Sequence, residues 1–215
     1  MVNTFIKLPA TLAIAMLANA PLIAAAQAGP SFPSRPVRLV VPTPAGGPSD
    51  AAARLVAQAL TTAWGRQVVV ENKPGVGGAI AAQAVMPAAP DGYTLLWGLS
   101  SMAGLPAVQK SPPYRHMNEL VPVSNVVQFG YALYANNDVP AKTFAELVTY
   151  GRAHPDKLSY ATGTLGEYMM GEHVLKSAGI KAVRVPYKGD AQLMPDLISG
   201  QVQLNVGPIP SGLRT

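Results

Sequence analysis

The sequence predicts an α/β fold in which a mostly parallel sheet carries helices on its faces. Three observations predict it. An apolar run, Val37–Val41, passes through a Pro/Gly turn into a segment of helical periodicity. That strand–turn–helix unit then recurs along the chain. Charged residues make up only 13% of the sequence, against 20 Gly and 21 Pro, a balance that suits small residues where helices meet strands.

The elements follow in order. Val37–Val41 reads as a buried strand, and Asp50–Trp64 as a helix opening on Ser49 and Asp50. Its apolar stripe is Leu55, Val56, Ala59, Leu60, Ala63 and Trp64, and Gly65 ends it. Val68–Asn72 is the next strand. A glycine turn, Lys73–Gly78, leads into a small-residue helix, Ala79–Val85. After the turn Pro90-Asp91-Gly92 comes a third strand, Tyr93–Gly98. The pattern loosens from Ser101 to Asn118. Leu120–Gln128 and Tyr131–Ala135 read as strands that carry the chain from one lobe into another.

A second α/β run starts near Pro140. Thr143-Phe144-Ala145-Glu146 is a capping box, with Phe144, Leu147 and Val148 as the buried face of its helix. Leu158–Ala161 is a strand, followed by the polar turn Thr162-Gly163-Thr164 and a helix to about Ala178. Ala182–Pro186 is a strand, Asp190–Ser199 a helix stopped by Gly200, and Gln201–Val206 a last strand.

Residues 1–28 read as a secretory signal peptide: Lys7, the apolar run Leu8–Ala20, then Ala26-Gln27-Ala28 before Gly29. The run is short and Pro-interrupted for a span, which takes roughly 20 apolar residues. The mature chain is therefore expected to be exported and soluble. It has no cysteine, which excludes disulfides, Cys metal sites and a Cys nucleophile. Without Lys7, 15 of the 16 basic residues remain against 11 acidic ones, net +4 rather than +5. They are scattered, with no basic run or basic–aromatic interleaving, so nucleic acid is not expected as a partner. A mild positive field suits a small anion.

The motif search favours binding over chemistry. His116, His154 and His173 lie in separate segments, without paired metal-ligand spacing. Gly98-Leu99-Ser100-Ser101-Met102 resembles a nucleophile elbow but ends in Met102, and no His–acid pair accompanies it. Gly75-Val76-Gly77-Gly78-Ala79-Ile80 resembles a dinucleotide fingerprint with Ile80 in the third Gly/Ala place, and reads as a tightly packed turn. Neither cofactor nor metal is expected. The loop Pro42–Asp50 differs. Glycines at a helix mouth leave backbone N–H groups uncovered, and these with the helix dipole attract anions. A second such turn, Thr162–Gly166, opens a helix in the second run, so two lobes could clamp an anion between them.

At this point the sequence resembles a known family. The runs are Pro33–Pro42, Ala45-Gly46-Gly47 with Asp50, Val70–Gly78, Ala89–Leu96, Tyr160-Ala161-Thr162, Val185–Gly189 and Asp196–Val202. In order and spacing they resemble the Bug-type extracytoplasmic solute-binding proteins, periplasmic receptors of tripartite tricarboxylate transporters. The match covers essentially the whole mature chain. It implies a type II periplasmic-binding fold: a signal peptide over 1–28, a first α/β lobe over 29–132 and a second over 133–215. The lobes would close over a small carboxylate without transforming it.

Carried over by position, the resemblance places Thr43, Pro44, Ala45, Gly46, Gly47, Ser49 and Asp50 in the first carboxylate loop. Ser100 and Ser101 would line the same cleft. Thr162, Gly163, Thr164 and Gly166 would form the second loop, with Gly189 and Asp190 at a further helix start. Asp50 is expected to cap its helix and fix the loop, because it would repel a carboxylate ligand.

Three departures stand out. The family's G-x-G-T-x-x-H pattern is replaced by Thr164-Leu165-Gly166-Glu167-Tyr168-Met169. Gly207 stands where an acidic residue is frequent. Family members also continue past Leu213 for about another third of their length, so a truncated second lobe, marginal stability and poor closure are expected. Glu167 and Tyr168 favour a ligand with an amino, amide or hydroxyl group. The expected function is a non-enzymatic periplasmic receptor, monomeric, capturing a small di- or tricarboxylate or related organic acid for the transporter's membrane components. The alternatives are a ligand sensor for a membrane histidine kinase and an exported hydrolase of acidic substrates.

Overall fold

Strand β1 (Val37–Val41) is buried along all but Arg38, as a strand covered on both faces must be. It lies between β2 (Val68–Asn72) and β3 (Thr94–Leu96) in a three-stranded parallel sheet. The structure, a computed structural model, describes residues 31–209; the signal-peptide reading of residues 1–28 lies outside the described residues.

Helix α1 (Pro48–Trp64) covers one face of this sheet. Val37, Leu39, Val41, Ala53, Ala57, Val68 and Trp97 form the core there. The helix starts at Pro48, with Gly47 as its cap, ahead of the expected Ser49–Asp50 opening. Proline has no N–H to satisfy and a preset φ, so it suits the first helical position. The stripe is also rotated. Ala53 and Ala57 are buried and Val56, Leu60 and Trp64 half-buried, whereas Leu55 is 69% exposed and Ala59 and Ala63 face outward. Gly65 closes the helix at φ 62°, its N–H donating to Thr61 O, as expected.

A second core forms from α2 (Ala79–Val85), a 3-10 turn at Ser100–Gly104 and α3 (Leu105–Val108). Ala79, Ala82, Met102, Leu105 and Tyr114 meet there, and the Tyr114 phenol donates to Met102 O at 2.7 Å. The Gly75–Gly78 turn is the tight packing device expected. At Gly78 a Cβ would come within 2.9 Å of Met102 Sδ, and its φ of 100° itself calls for glycine.

The expected strand Leu120–Gln128 does not form. The segment has no ladder partner among the described residues, and Val121 and Val123 are 82% and 81% exposed. Apolar alternation makes a strand only where a neighbour completes the hydrogen bonds.

The second sheet has the order β4-β7-β5-β6. Its strands are β4 (Tyr131–Ala135), β5 (Ser159–Thr162), β6 (Val183–Pro186) and β7 (Leu204–Pro208). β5 is parallel to β6 and β7, while β4 runs antiparallel to β7. Tyr160 joins the core under α4 (Phe144–Ala153) and α5 (Leu165–Ser177). Its neighbour Ala161 points to the other face, onto Leu193 and Leu197 of α6 (Asp190–Ile198). Helices thus cover both faces.

Here too the boundaries move. β5 takes in Thr162, which the sequence placed in the turn. β7 starts at Leu204 rather than Gln201, because the turn after α6 runs through Gly200 and the Gln203 amide, which donates to Gly200 O. Phe144, expected in the core, is 53% exposed at the start of α4, where the first helical position points away from the sheet.

Candidate functional site

Two helix mouths on the two sheets are built to one plan. At α1, Gly46 precedes the cap Gly47, and Asp50 at the third helical position accepts the Gly46 N–H at 2.9 Å. At α5, Gly163 precedes the cap Thr164, and Glu167 at the third position accepts the Gly163 N–H at 2.6 Å. Helix α4 repeats the reach: Thr143 Oγ1 accepts from Glu146 N, while the Glu146 carboxylate accepts from Lys142 N rather than from the cap itself. This is a capping box displaced by one residue.

The Pro42–Asp50 loop is held from several sides. Asp50 is 3% exposed and pairs with Arg54 at 2.9 Å. Asn72, at the end of β2, donates both to Asp50 Oδ1 at 2.8 Å and to Thr43 O at 2.9 Å. Burial pushes the Asp50 carboxyl up, but Arg54, the Gly46 N–H and Asn72 outweigh it and hold it below the usual range. Asp50 fixes the loop from the third helical position, not as the cap. The Gly46 N–H is spent on that task, and its φ of 88° is what requires glycine there. A helix leaves its first N–H groups without intrahelical acceptors. Since Pro48 has none, those of Gly47, Ser49 and Asp50 are the ones this mouth presents.

The second mouth carries a carboxyl pair. Glu167 is 1% exposed, and its Oε2 also meets Asn205 Nδ2 at 3.4 Å. Burial, then the nearby Asp190 carboxyl, pushes Glu167 well above the usual carboxylate range. Burial together with Glu167 and Asp190 also raises Tyr131. Glu167 thus holds its proton more tightly than an exposed carboxyl does.

Between the mouths lies a cavity of about 600 Å³, within the size range of small-molecule sites. It gathers Thr43, Pro44, Gly47, Pro48 and Ser49 from the first loop, Ser100 and Ser101 after β3, and Thr164, Gly189 and Asp190 from the second sheet. Thr43 is 8% exposed and its Oγ1 has no hydrogen-bond partner among the described residues. Thr43 thereby adds a hydroxyl donor and acceptor to the cavity's lining. No lysine, arginine or histidine lines the cavity among the described residues.

The other nominated residues stand elsewhere. Ala45, Gly46 and Asp50 belong to the first loop but lie outside the cavity lining. Thr162 is 2% exposed, its Oγ1 accepts from Arg184 Nε at 3.1 Å, and with Gly163 it lines a second cavity of about 560 Å³ beside the Gly75–Gly78 turn. Gly166 sits under Tyr131, where a Cβ would come within 2.8 Å of the phenol oxygen. Glycine also brings the two sheets' loops together. A Cβ on Gly189 would lie 2.9 Å from Pro44 Cδ and Cγ, and one on Gly163 would lie 2.8 Å from Gly189 C.

Sequence reasoning missed Trp97, Asn125, Gln128 and Tyr131, which also line the cavity. The polar residues interrupting the valine-rich 121–128 run were the available signal. The histidines have local places: His116 precedes a short turn closed by Glu119, and His154 stacks on Tyr150. No group of three or more His, Cys, Asp or Glu could hold a metal ion among the described residues.

Comparison with known proteins agrees with this architecture. A protein of Agrobacterium vitis, designated UPF0065 and encoded in the TAR-I ttuE-ttuC' intergenic region, is 37% identical over 194 residues. The match takes in 89% of this chain and 56% of that protein. BugT of Bordetella pertussis is 34% identical, over 89% and 60% of the two chains. Among solved structures, the periplasmic binding protein BugD superposes with a TM-score of 0.75 at 36% identity, over 82% and 60% of the chains. MatC of Rhodopseudomonas palustris, solved with bound malate, gives 0.77 at 30% identity, over 85% and 63%. An R. palustris protein solved with adipate gives 0.74 at 31%, over 84% and 61%. The chain thus spans about three fifths of the length of these proteins. Residues 52–214 match the model of the tripartite tricarboxylate transporter family receptor, TctC. The fold is that of the periplasmic binding proteins, and this chain belongs to the TctC receptor family, whose members bind solutes rather than transform them.

Proposed function

We propose that this chain is an exported, periplasmic receptor that captures a small carboxylate between its two helix mouths for the membrane components of a tripartite tricarboxylate transporter. The observation that carries the reading is the cavity's donor set. Backbone N–H groups of Gly47 and Ser49 and the hydroxyls of Thr43, Ser49, Ser100, Ser101 and Thr164 converge on a site that no cationic side chain lines among the described residues. Such a site holds a carboxylate through hydrogen bonds and the α1 dipole. The relatives solved with malate and adipate support that ligand class.

A serine nucleophile finds no support, because no histidine lines the cavity to serve as base among the described residues. Calorimetric titration against aliphatic carboxylates, with sugars as controls, tests the proposal. Saturable binding of a carboxylate, weakened by Ser49→Pro and Thr43→Val but unaffected by Arg184→Ala beside the second cavity, is expected. Binding of sugars alone, or sensitivity to Arg184 alone, would reject it.

A further inference from the structure

The second cavity, of about 560 Å³, differs in chemistry from the first. Arg184 and Lys188 line it, and no Asp or Glu does among the described residues. The guanidinium is set in place by the strand that carries it. Arg184 pairs with Tyr160 across the β5–β6 ladder and so shares the sheet face that α5 covers. There it lies over the Tyr168 ring at 4.1 Å, and its Nε donates to Thr162 Oγ1 at 3.1 Å. Its terminal amino groups, the fork that grips a carboxylate bidentately, have no acceptor among the described residues. Glu172 is taken up by Lys176 at 2.5 Å and by the Tyr160 phenol, and lies outside the lining.

Lys188 sits in the turn from β6 to α6, which Tyr187 anchors. The Tyr187 N–H donates to Thr162 O at 2.8 Å and its phenol to Asp196 at 2.6 Å. The remaining lining is largely apolar, with Val76, Leu99, Leu105, Val108 and Leu165. A bare small anion would leave that surface wet, whereas a ligand with an apolar body buries it. Tyr168 and Tyr187 also line the cavity, so a ring finds aromatic neighbours.

We propose that this cavity is a second ligand site, separate from the helix-mouth cleft, and that it takes a small aromatic carboxylate. Arg184 grips the carboxylate, Lys188 adds a second positive charge, and the ring rests among the leucines and tyrosines. The two cavities adjoin, sharing Thr43, Leu99 and Thr164. Ser49 lines only the first, and Arg184 and Lys188 only the second, so the sites can be tested apart.

Calorimetry with 1-naphthoate and its uncharged amide tests this. The wild-type chain should bind the naphthoate saturably and at least about tenfold tighter than the amide, the scale of one charge-assisted hydrogen bond. Arg184→Gln should weaken the naphthoate by about tenfold or more. Lys188→Gln, at an exposed side chain, should weaken it by about threefold, which guards against an Arg184 variant that merely misfolds. Ser49→Pro and saturating succinate should leave naphthoate binding unchanged. No naphthoate binding, equal affinity for the amide, insensitivity to both Arg184→Gln and Lys188→Gln, or displacement by succinate would overturn the inference. Carboxylate capture at the first mouth stands or falls separately, on the aliphatic panel and its loss in Ser49→Pro.

Discussion

Glu167→Gln isolates the buried proton of the second helix mouth. The wild-type carboxyl is 1% exposed, and burial, then Asp190, raises its proton affinity far above the ordinary value of 4.5. The unfolded chain releases this proton near that ordinary value, while the folded chain keeps it to much higher pH. Stability from the bound proton is fully present below about 4.5 and is lost as pH rises through the folded value, by at most about 1.4 kcal/mol per pH unit. Glutamine keeps the shape, still accepts from Gly163 and has no proton to lose. Between about pH 5.5 and 7.5, wild type should therefore lose about 2–3 kcal/mol more than the variant. For a chain of this size that widens the gap in Tm by roughly 5–10 °C in the variant's favour. Thermal unfolding followed by circular dichroism at three pH values reads it directly. A gap that stays constant with pH, or a variant less stable at pH 7.5, would refute the raised proton affinity of Glu167.

Other substitutions test the scaffold. Asp50→Ala removes the acceptor of Gly46, Asn72 and Arg54 and should cost about 2–3 kcal/mol in urea unfolding at pH 7. Because the folded Asp50 carboxyl is held below its ordinary 3.8, this deficit should shrink as pH falls through that lower value. Gly189→Ala adds a Cβ 2.9 Å from two atoms of the rigid Pro44 ring. The extended backbone at Gly189 tolerates alanine, so the clash alone should act, weakening ligand binding by about tenfold and stability by about 1–2 kcal/mol. Leu193→Ala empties a side chain that is 1% exposed between α6 and the second sheet and should cost about 2–5 kcal/mol in the same unfolding assay.

Much of the first half was legible because its signals are local. Val37–Val41 is apolar at every position but Arg38 and lies at the sheet centre, and Gly65 and Gly46 stand where positive φ demands them. Helix phase was harder to read: α1 buries Ala53 and Ala57 rather than the larger Leu55, since the sheet contact is close and small residues let the helix approach. The 121–128 run shows the limit from the other side, because its alternation says nothing about whether a partner edge is present. At the site, the glycine turns and Ser49, Thr43 and Thr164 could be found by motif. The use of Gly46 and Gly163 N–H groups by Asp50 and Glu167 could not, because it depends on a carboxylate four residues ahead folding back over its own turn. Asn72 was visible only as part of a motif; its hold on Thr43 spans 29 positions of sequence. Tyr131 and Trp97 reach the cavity through the packing of the two sheets, which no local pattern encodes.

On the proposed function, the first helix mouth holds a carboxylate by backbone and hydroxyl donors. The most direct measurement pairs the tightest-binding carboxylate from the calorimetric panel with its carboxamide, identical in shape but uncharged, on the same protein at pH 7. Capture at a helix N-terminus predicts that the amide binds at least about tenfold more weakly, with Ser49→Pro abolishing most of that difference. Equal affinity for the two ligands would contradict the claim.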